Sequence, residues 1–217
     1  MAKQYAVIGL GRFGTSVART LYEMGYDVLG IDTNEDLIQD AIDLVTHAVT
    51  ADSTDENALK SIGIRNFDVV VVAIGNDVKN SILTTLILKE LGVKYIVVKA
   101  QDELHGKVLE KIGADRVVYP ERDMGYRVAH NLISPNILDY IELAPDYSIL
   151  EIHTPNKFVG RSLEQIDIRR KYGCNVMAIK HGKDINISPI ATDILHDGDV
   201  LVVVGKNEDL DDLKELK

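Results

Sequence analysis

Three glycines, an arginine and an aspartate near the start of the chain are spaced for holding phosphate and ribose. The stretch VIGLGRFGTSVARTLYEMGYDVLGID (7–32) carries Gly9, Gly11 and Gly14 as G-x-G-x-x-G, and Asp32 closes the next apolar run. Gly9 permits a tight turn out of a strand. Gly11 lets backbone approach a diphosphate closely, and Gly14 lets a helix pack against a sheet. The diphosphate then lies on the N-terminus of a helix starting near Phe13, where free N–H groups and the helix dipole favour negative charge. Asp32 is placed to accept from both ribose hydroxyls and to repel a 2′-phosphate, which argues against NADP.

Arg12 sits inside the loop. A guanidinium there can pair with the terminal phosphate of ADP or ATP; a solvated loop arginine is the other reading. Further on, TADSTDENAL (50–59) ends one strand and starts a helix. Asp52 either faces an adenine amino group or, with Ser53 and Thr54, only caps that helix. VVAIGND (71–77) brings Ala73, Ile74 and Gly75 to the mouth of the fourth strand, and VKA (98–100) does the same for Lys99. Glu121, after the last strand of the sheet, either holds a phosphate-bound cation or is a solvated turn residue.

Hydride chemistry needs an acid or base beside the hydride acceptor. His47 reads as a packed strand residue, His105 and His130 as helical, and His153 and His181 as strand residues with no carboxylate at suggestive spacing. Cys174 reads as a buried apolar side chain. No His/Cys spacing suits zinc, and there is no P-loop lysine motif, so Walker-type ATP hydrolysis is unsupported.

The elements that must position these residues follow from periodicity. The chain has 217 residues, 46 % apolar and 27 % charged, with a formal net charge of −10. That acidic balance disfavours nucleic-acid binding. One cysteine fits a reducing compartment. No signal segment follows Met1, and no run approaches the ~20 apolar residues of a spanning helix. The expectation is a soluble, cytoplasmic chain that meets a membrane only through a partner. Short, nearly continuous apolar runs alternate with helical patterns whose glycines (Gly25, Gly63, Gly92, Gly113) stand at C-caps. Strands of that kind are buried on both faces of a parallel sheet, so residues 1–123 are expected to form a Rossmann-like, doubly wound α/β domain. Residues 124–144 read as a helical connector of two pieces, Met124–Ile133 and ILDYIEL, separated by Pro135. Residues 145–217 read as a smaller α+β domain. Its expected elements are a strand in YSILEIHTP, a Ser-capped helix in SLEQIDIRRKYG, a strand in CNVMAIKHG and a strand–helix pair at the end.

The stretches YAVIGLGRFGTSVARTL, GIDTNEDLIQDA, ADSTDENALKSIGIRNFDVVVVAIGND, LGVKYIVVKAQDELHGKVLEKIGADRVVYPERDMGYRVA, RRKYGCNVMAIKHG and DGDVLVVVG resemble, in that order, the RCK proteins, regulators of potassium conductance. The similarity is greatest to the cytosolic gating subunits of Ktr-type bacterial potassium transporters, and it covers essentially the whole chain. The resemblance implies a ring, an octamer built from dimers, bound to a membrane-embedded potassium-translocating subunit at the inner face of the plasma membrane. It implies that ATP and ADP compete for the fingerprint pocket, with NAD(H) in some members. Gly9, Gly11, Phe13 and Gly14 then form the phosphate loop, and Arg12 reaches the terminal phosphate. Asp32 and Asn34, with Thr33 between them, hold ribose, and Asp52 and Ser53 line adenine. Glu121 meets the γ-phosphate through a divalent cation, Mg or Ca. The resemblance also implies cyclic di-AMP between two C-terminal modules, held through Ile168, Arg169, Asn175, Pro189 and Ile190. On this reading the nucleotide is a ligand that biases a two-state ring. The alternative is an NAD-dependent oxidoreductase or NAD redox sensor on the same fold.

Overall fold

The computed structural model describes residues 3–133 and 137–216, and the chain divides into two units, Met1–Glu121 and Arg122–Lys217. In the first unit strands and helices alternate: β1 (Gln4–Ile8), α1 (Arg12–Glu23), β2 (Asp27–Asp32), α2 (Glu35–Ala41), β3 (His47–Thr50), α3 (Glu56–Ile62), β4 (Val69–Val72), α4 (Val78–Glu90), β5 (Ile96–Lys99), α5 (Glu103–Ile112) and β6 (Arg116–Val118). All six strands run parallel in the order β3-β2-β1-β4-β5-β6. This is the expected doubly wound sheet, and the central strand shows why the apolar runs are continuous. Ala6 and Ile8 of β1 enter one core with Leu59 of α3, Ile87 and Leu88 of α4 and Leu109 of α5. Val7 enters the opposite core with Ala18 of α1 and Ile38 and Ala41 of α2. Successive side chains point to opposite faces, and both faces are covered.

The helices start and stop where their chemistry dictates. Side chains of Asn34, Asp55, Asp77 and Asp102 accept backbone N–H groups at the N-termini of α2, α3, α4 and α5, worth about 1 kcal/mol each. The α3 cap is therefore Asp55 rather than Ser53 or Thr54. Ser53 is buried, and its hydroxyl is engaged with that of Thr84 at 2.8 Å.

A sixth helix, α6 (Pro120–Ile133), starts at a proline, four residues before Met124; proline suits a first helical position because its missing N–H would have no partner there. In the second unit the ILDYIEL stretch is not helical. It forms strand β7 (Ile137–Ala144), paired antiparallel with β8 (Tyr147–His153) around a tight turn, with Ala144 opposite Tyr147. The physical reason is tertiary: so short a segment has little helical stability alone, and β8 supplies a ladder along it, interrupted by register shifts between Ile137 and Asp139 and between Glu142 and Ala144. Pro135 lies outside the described residues. The sheet continues with β9 (Asn175–His181), β10 (Asp184–Asn186) and β11 (Val200–Lys206), in the order β10-β9-β11-β8-β7, all antiparallel. Its strands alternate: Ser148, Leu150 and Ile152 of β8 are buried, as are Leu201 and Val203 of β11. The expected Ser-capped helix is two helices, α7 (Leu163–Ile166) and α8 (Ile168–Tyr172), followed after β11 by α9 (Asn207–Lys214). Ser162 caps α7 in a reciprocal box with Gln165, and Asp167, at φ 53°, turns the chain left-handed between the two.

Candidate functional site

The loop from Gly9 to Gly14 is held by backbone geometry. Gly9 has φ +92°, and a Cβ there would lie 3.1 Å from the Ala73 carbonyl carbon. A Cβ on Gly14 would lie 1.8 Å from the Gly9 oxygen, so no side chain fits where α1 meets the loop. Gly9 N–H donates to Ile31 O at 2.8 Å, Ala73 N–H to Ile8 O at 2.7 Å, and the Thr15 hydroxyl to Leu10 O at 2.6 Å. Asp32 joins two segments: Oδ2 accepts the Leu10 N–H at 2.6 Å and Oδ1 the Asn34 N–H at 2.9 Å. Asn34 in turn accepts the Asp36 N–H at 2.9 Å. The carboxylate that would hold ribose therefore also fixes the loop that would hold phosphate. Helix α1 has Gly11 as its N-cap, with neither a side-chain cap nor an acidic residue in its first turn. Its leading N–H groups are left for an anion. The space beyond Gly11 is open for 4 Å.

Charge gathers at the same edge. Lys99 Nζ lies 2.5 Å from Glu121 Oε1 and 5.9 Å from the centre of the Phe13 ring. A Cβ on Gly75 would meet Lys99 Nζ at 3.3 Å, and the Gln101 side-chain amide donates to Gly75 O. The Lys99 hydrogen bond, aided by the Lys99 and Arg12 charges, holds the Glu121 carboxyl below the usual carboxylate range. Arg12, Phe13, Gly75, Lys99 and Glu121 thus form one neighbourhood, with two cations against one carboxylate. It lies at the carboxyl ends of β1, β4 and β5, beside the point where strand order reverses between β1 and β4, which is where open α/β sheets take their ligands. Asp52 is engaged locally: Oδ1 accepts from the Thr54 hydroxyl at 2.7 Å and the Thr54 N–H at 2.8 Å, and these bonds lower its pKa.

In the second unit a cavity of about 210 Å³ is lined by Asp167, Ile168, Arg169, Cys174, Asn175 and Ala191 among others. Both sides of the left-handed break at Asp167 contribute to its wall. Ile168, Arg169 and Asn175 come together here, with Ile168 itself buried. Pro189 and Ile190 do not line the cavity; Ile190 is 61 % exposed and its N–H donates to Asp193. Cys174 is fully buried, and burial, with Asp209 and Asp212 nearby, pushes its thiol up to about 11, which leaves it unreactive.

One constellation escaped sequence reasoning. His181 has a carboxylate partner, Asp199, 2.5 Å from its Nδ1, and His196 joins them. Eighteen residues separate His181 from Asp199 in the chain, and only the register of β9 on β11, with Lys180 opposite Val200, brings them together. The histidine ending a strand and the HDGD turn before another were the available signals.

No helix among the described residues is long and apolar enough to cross a membrane. The TrkA-N domain family matches residues 5–120 and the TrkA-C domain family residues 148–217. The chain is 52 % identical over 210 residues to the Ktr system potassium uptake protein C of Bacillus subtilis, covering 97 % of this chain and 95 % of that protein. It is 50 % identical to Ktr system potassium uptake protein A of the same organism, covering 96 % and 94 %. Identity to the Vibrio alginolyticus protein A is 40 %, with the same coverage. Among solved structures, the GsuK channel superposes with a TM-score of 0.71 at 17 % identity, covering all of this chain and 39 % of that one. The GsuK channel bound to NAD gives 0.70 at the same identity and coverage. That likeness is one of fold.

Proposed function

This chain belongs to the TrkA-N and TrkA-C family that contains the Ktr potassium uptake proteins, and from that premise we propose that it is a nucleotide-sensing regulatory subunit gating a membrane potassium transporter. ATP and ADP compete for the crevice at Gly9–Gly14, and NAD(H) is a further occupant. The observation that carries this reading is the set of charges at the mouth of the crevice. Arg12 is the first residue of α1, Lys99 and Glu121 are paired beside Phe13, and the Arg12 charge is felt at Glu121. Two cations beside an uncapped helix N-terminus suit a terminal phosphate, which a dinucleotide does not present. Glu121 is the residue for a divalent cation, which would draw it from Lys99 when ATP arrives. Asp32, with Thr33 and Asn34, holds ribose. Asp52 faces adenine, with Ser53 contributing backbone because its hydroxyl is engaged with Thr84.

The chain is not an enzyme on this reading. It acts as a ring, an octamer built from dimers, on the inner face of the plasma membrane through its transporter. Cyclic di-AMP is a second ligand, held between two C-terminal modules through the cavity at Ile168, Arg169 and Asn175. Binding energy is converted into a shift between two ring states.

The test pairs calorimetry of the full chain against ATP, ADP, NADH and cyclic di-AMP with potassium uptake in vesicles that hold the transporter. Different uptake rates in ATP and ADP are expected. Equal rates with both nucleotides bound would remove the regulatory reading. Hydride transfer from bound NADH to any acceptor would favour the oxidoreductase instead.

A further inference from the structure

We propose that His181, His196 and Asp199 form a binding site for a divalent transition metal of the zinc type in the second unit. His181 ends β9, Asp199 immediately precedes β11, and His196 lies in the turn between β10 and β11. Each residue offers one ligand atom, and the three atoms lie within 4.8 Å of one another. Asp199 Oδ1 is 2.5 Å from His181 Nδ1, and Oδ2 is 3.6 Å from His196 Nδ1. The two rings meet edge to face, with centres 5.8 Å apart.

The anchor of the site is rigid and its arms are free. The Asp199 side chain is 2 % exposed, while those of His181 and His196 are 69 % and 65 % exposed. Asp199 O accepts the Thr154 N–H at 2.8 Å, its Oδ2 accepts the His196 N–H at 2.8 Å, and its N–H donates to His196 O at 3.2 Å. Backbone therefore orients the carboxylate from behind, as outer-shell donors do in metal sites. Donors about 2.0–2.2 Å from a tetrahedral ion stand roughly 3.3–3.5 Å apart, so the His181 ring must swing out by nearly an ångström from its 2.5 Å contact with Asp199, a movement open to an exposed imidazole.

The donor set decides the ion. Two imidazoles and one carboxylate suit zinc, nickel or copper, and three protein ligands plus an open position is a recognised zinc arrangement. Calcium and magnesium take oxygen ligands and have only one protein side-chain oxygen donor group here. The competing reading is a carboxylate that merely ties the turn before β11 to the end of β9. The two readings part on what happens when zinc is offered.

The experiment is a titration of nucleotide-free full-length protein with Zn²⁺ against a chromophoric chelator, repeated with Mg²⁺ and Ca²⁺. One zinc per chain is expected, with Mg²⁺ and Ca²⁺ in large excess failing to displace it. Cobalt in its place should give the strong visible bands of a low-coordinate site. His181→Ala and His196→Ala should each weaken zinc by about tenfold or more, a loss of the size that mutating groups around a metal gives. The double variant should bind no zinc at that stoichiometry. His196→Ala removes an exposed ring 3.6 Å from Asp199 and should unfold at the wild-type temperature without metal, whereas His181→Ala takes a hydrogen bond from the buried Asp199 carboxylate and should unfold somewhat lower while remaining folded at the titration temperature; Asp199→Asn, at a buried position, is not needed. A wild-type chain that cannot compete with the chelator overturns the proposal. So does a double variant that binds zinc as the wild type does, because the remaining histidines would then be responsible.

Discussion

The candidate ligand residues are positioned by backbone in the first unit and by side chains in the second. The glycine loop, the start of α1 and the turn after β2 are pinned by hydrogen bonds between main-chain groups and by Asp32, and Gly14 leaves no space for one methyl group. The cavity near Asp167 has an open wall made of Arg169, Asn175 and the edge of a core. A site made by backbone accepts any ligand with the right phosphate and ribose, and tolerates almost no change in the protein. A site made by side chains on an antiparallel sheet can be retuned one residue at a time.

Gly14→Ala tests this contrast most severely. Its Cβ would sit 1.8 Å from the Gly9 oxygen, so α1 or the loop must shift. Destabilisation of about 3 kcal/mol is expected, at the top of the range for overpacking, with loss of ATP, ADP and NADH binding together. Thermal unfolding and calorimetry read both effects. Cyclic di-AMP affinity should be unchanged, and its loss would break the separation of the two sites. Next in size is a reciprocal pair. Arg12→Ala should weaken ATP by about 1.5–3 kcal/mol, the value of a charge-assisted hydrogen bond, and NAD by much less. Arg169→Ala should weaken cyclic di-AMP by a similar amount and leave ATP alone. Calorimetry of both variants with all three ligands makes the comparison, and equal losses of ATP and NAD in Arg12→Ala would remove the terminal-phosphate assignment.

Asp32→Ala tests the proposal that the carboxylate pinning the Leu10 and Asn34 N–H groups also holds ribose. It strands the Leu10 and Asn34 N–H groups, costing about 1–2 kcal/mol in stability, and should weaken ATP, ADP and NADH equally, since all share the adenosine ribose. Full affinity for all three would show that ribose is held elsewhere. The smallest effect belongs to the second unit. Arg127 Nη2 reaches both oxygens of Asp139, at 2.8 and 3.0 Å, and lowers the Asp139 pKa. The stabilisation is present above the ordinary aspartate value near ~3.9 and is lost as pH falls through the lower folded value. With both side chains partly in solvent it amounts to about 0.5 kcal/mol. Unfolding midpoints of the chain and of Asp139→Asn, measured down the acid limb, should converge at low pH.

The parallel unit was the more legible one. Strands buried on both faces announce themselves as apolar runs, and G-x-G-x-x-G with Asp32 marks the first crossover without reference to anything distant. Legibility fails where a residue's state is set by a remote partner. The seven residues ILDYIEL fit a helix or a strand, and β8 decides between them. A left-handed Asp167 leaves no trace in composition, so one helix was expected where two exist. Ser53 reads as a cap until Thr84, on another helix, is seen beside it. His181 reads as isolated until the β9–β11 register delivers Asp199.

The central strand has a consequence for how the chain is made. β1 is flanked by β2 and β4, and its pairing with β4 sets Tyr5 opposite Val69, 64 residues later. At a synthesis rate of about 5–20 residues per second, roughly 3–13 seconds pass between the emergence of one and the other. Through that interval an almost wholly apolar strand has a partner on one side only, and β2 can protect just that side. The arrival of β4 closes the second side of β1 and hands the open edge on to β4 itself, an all-valine strand that waits in turn for β5, so the growing sheet always carries one unpaired apolar edge until its last strands are made.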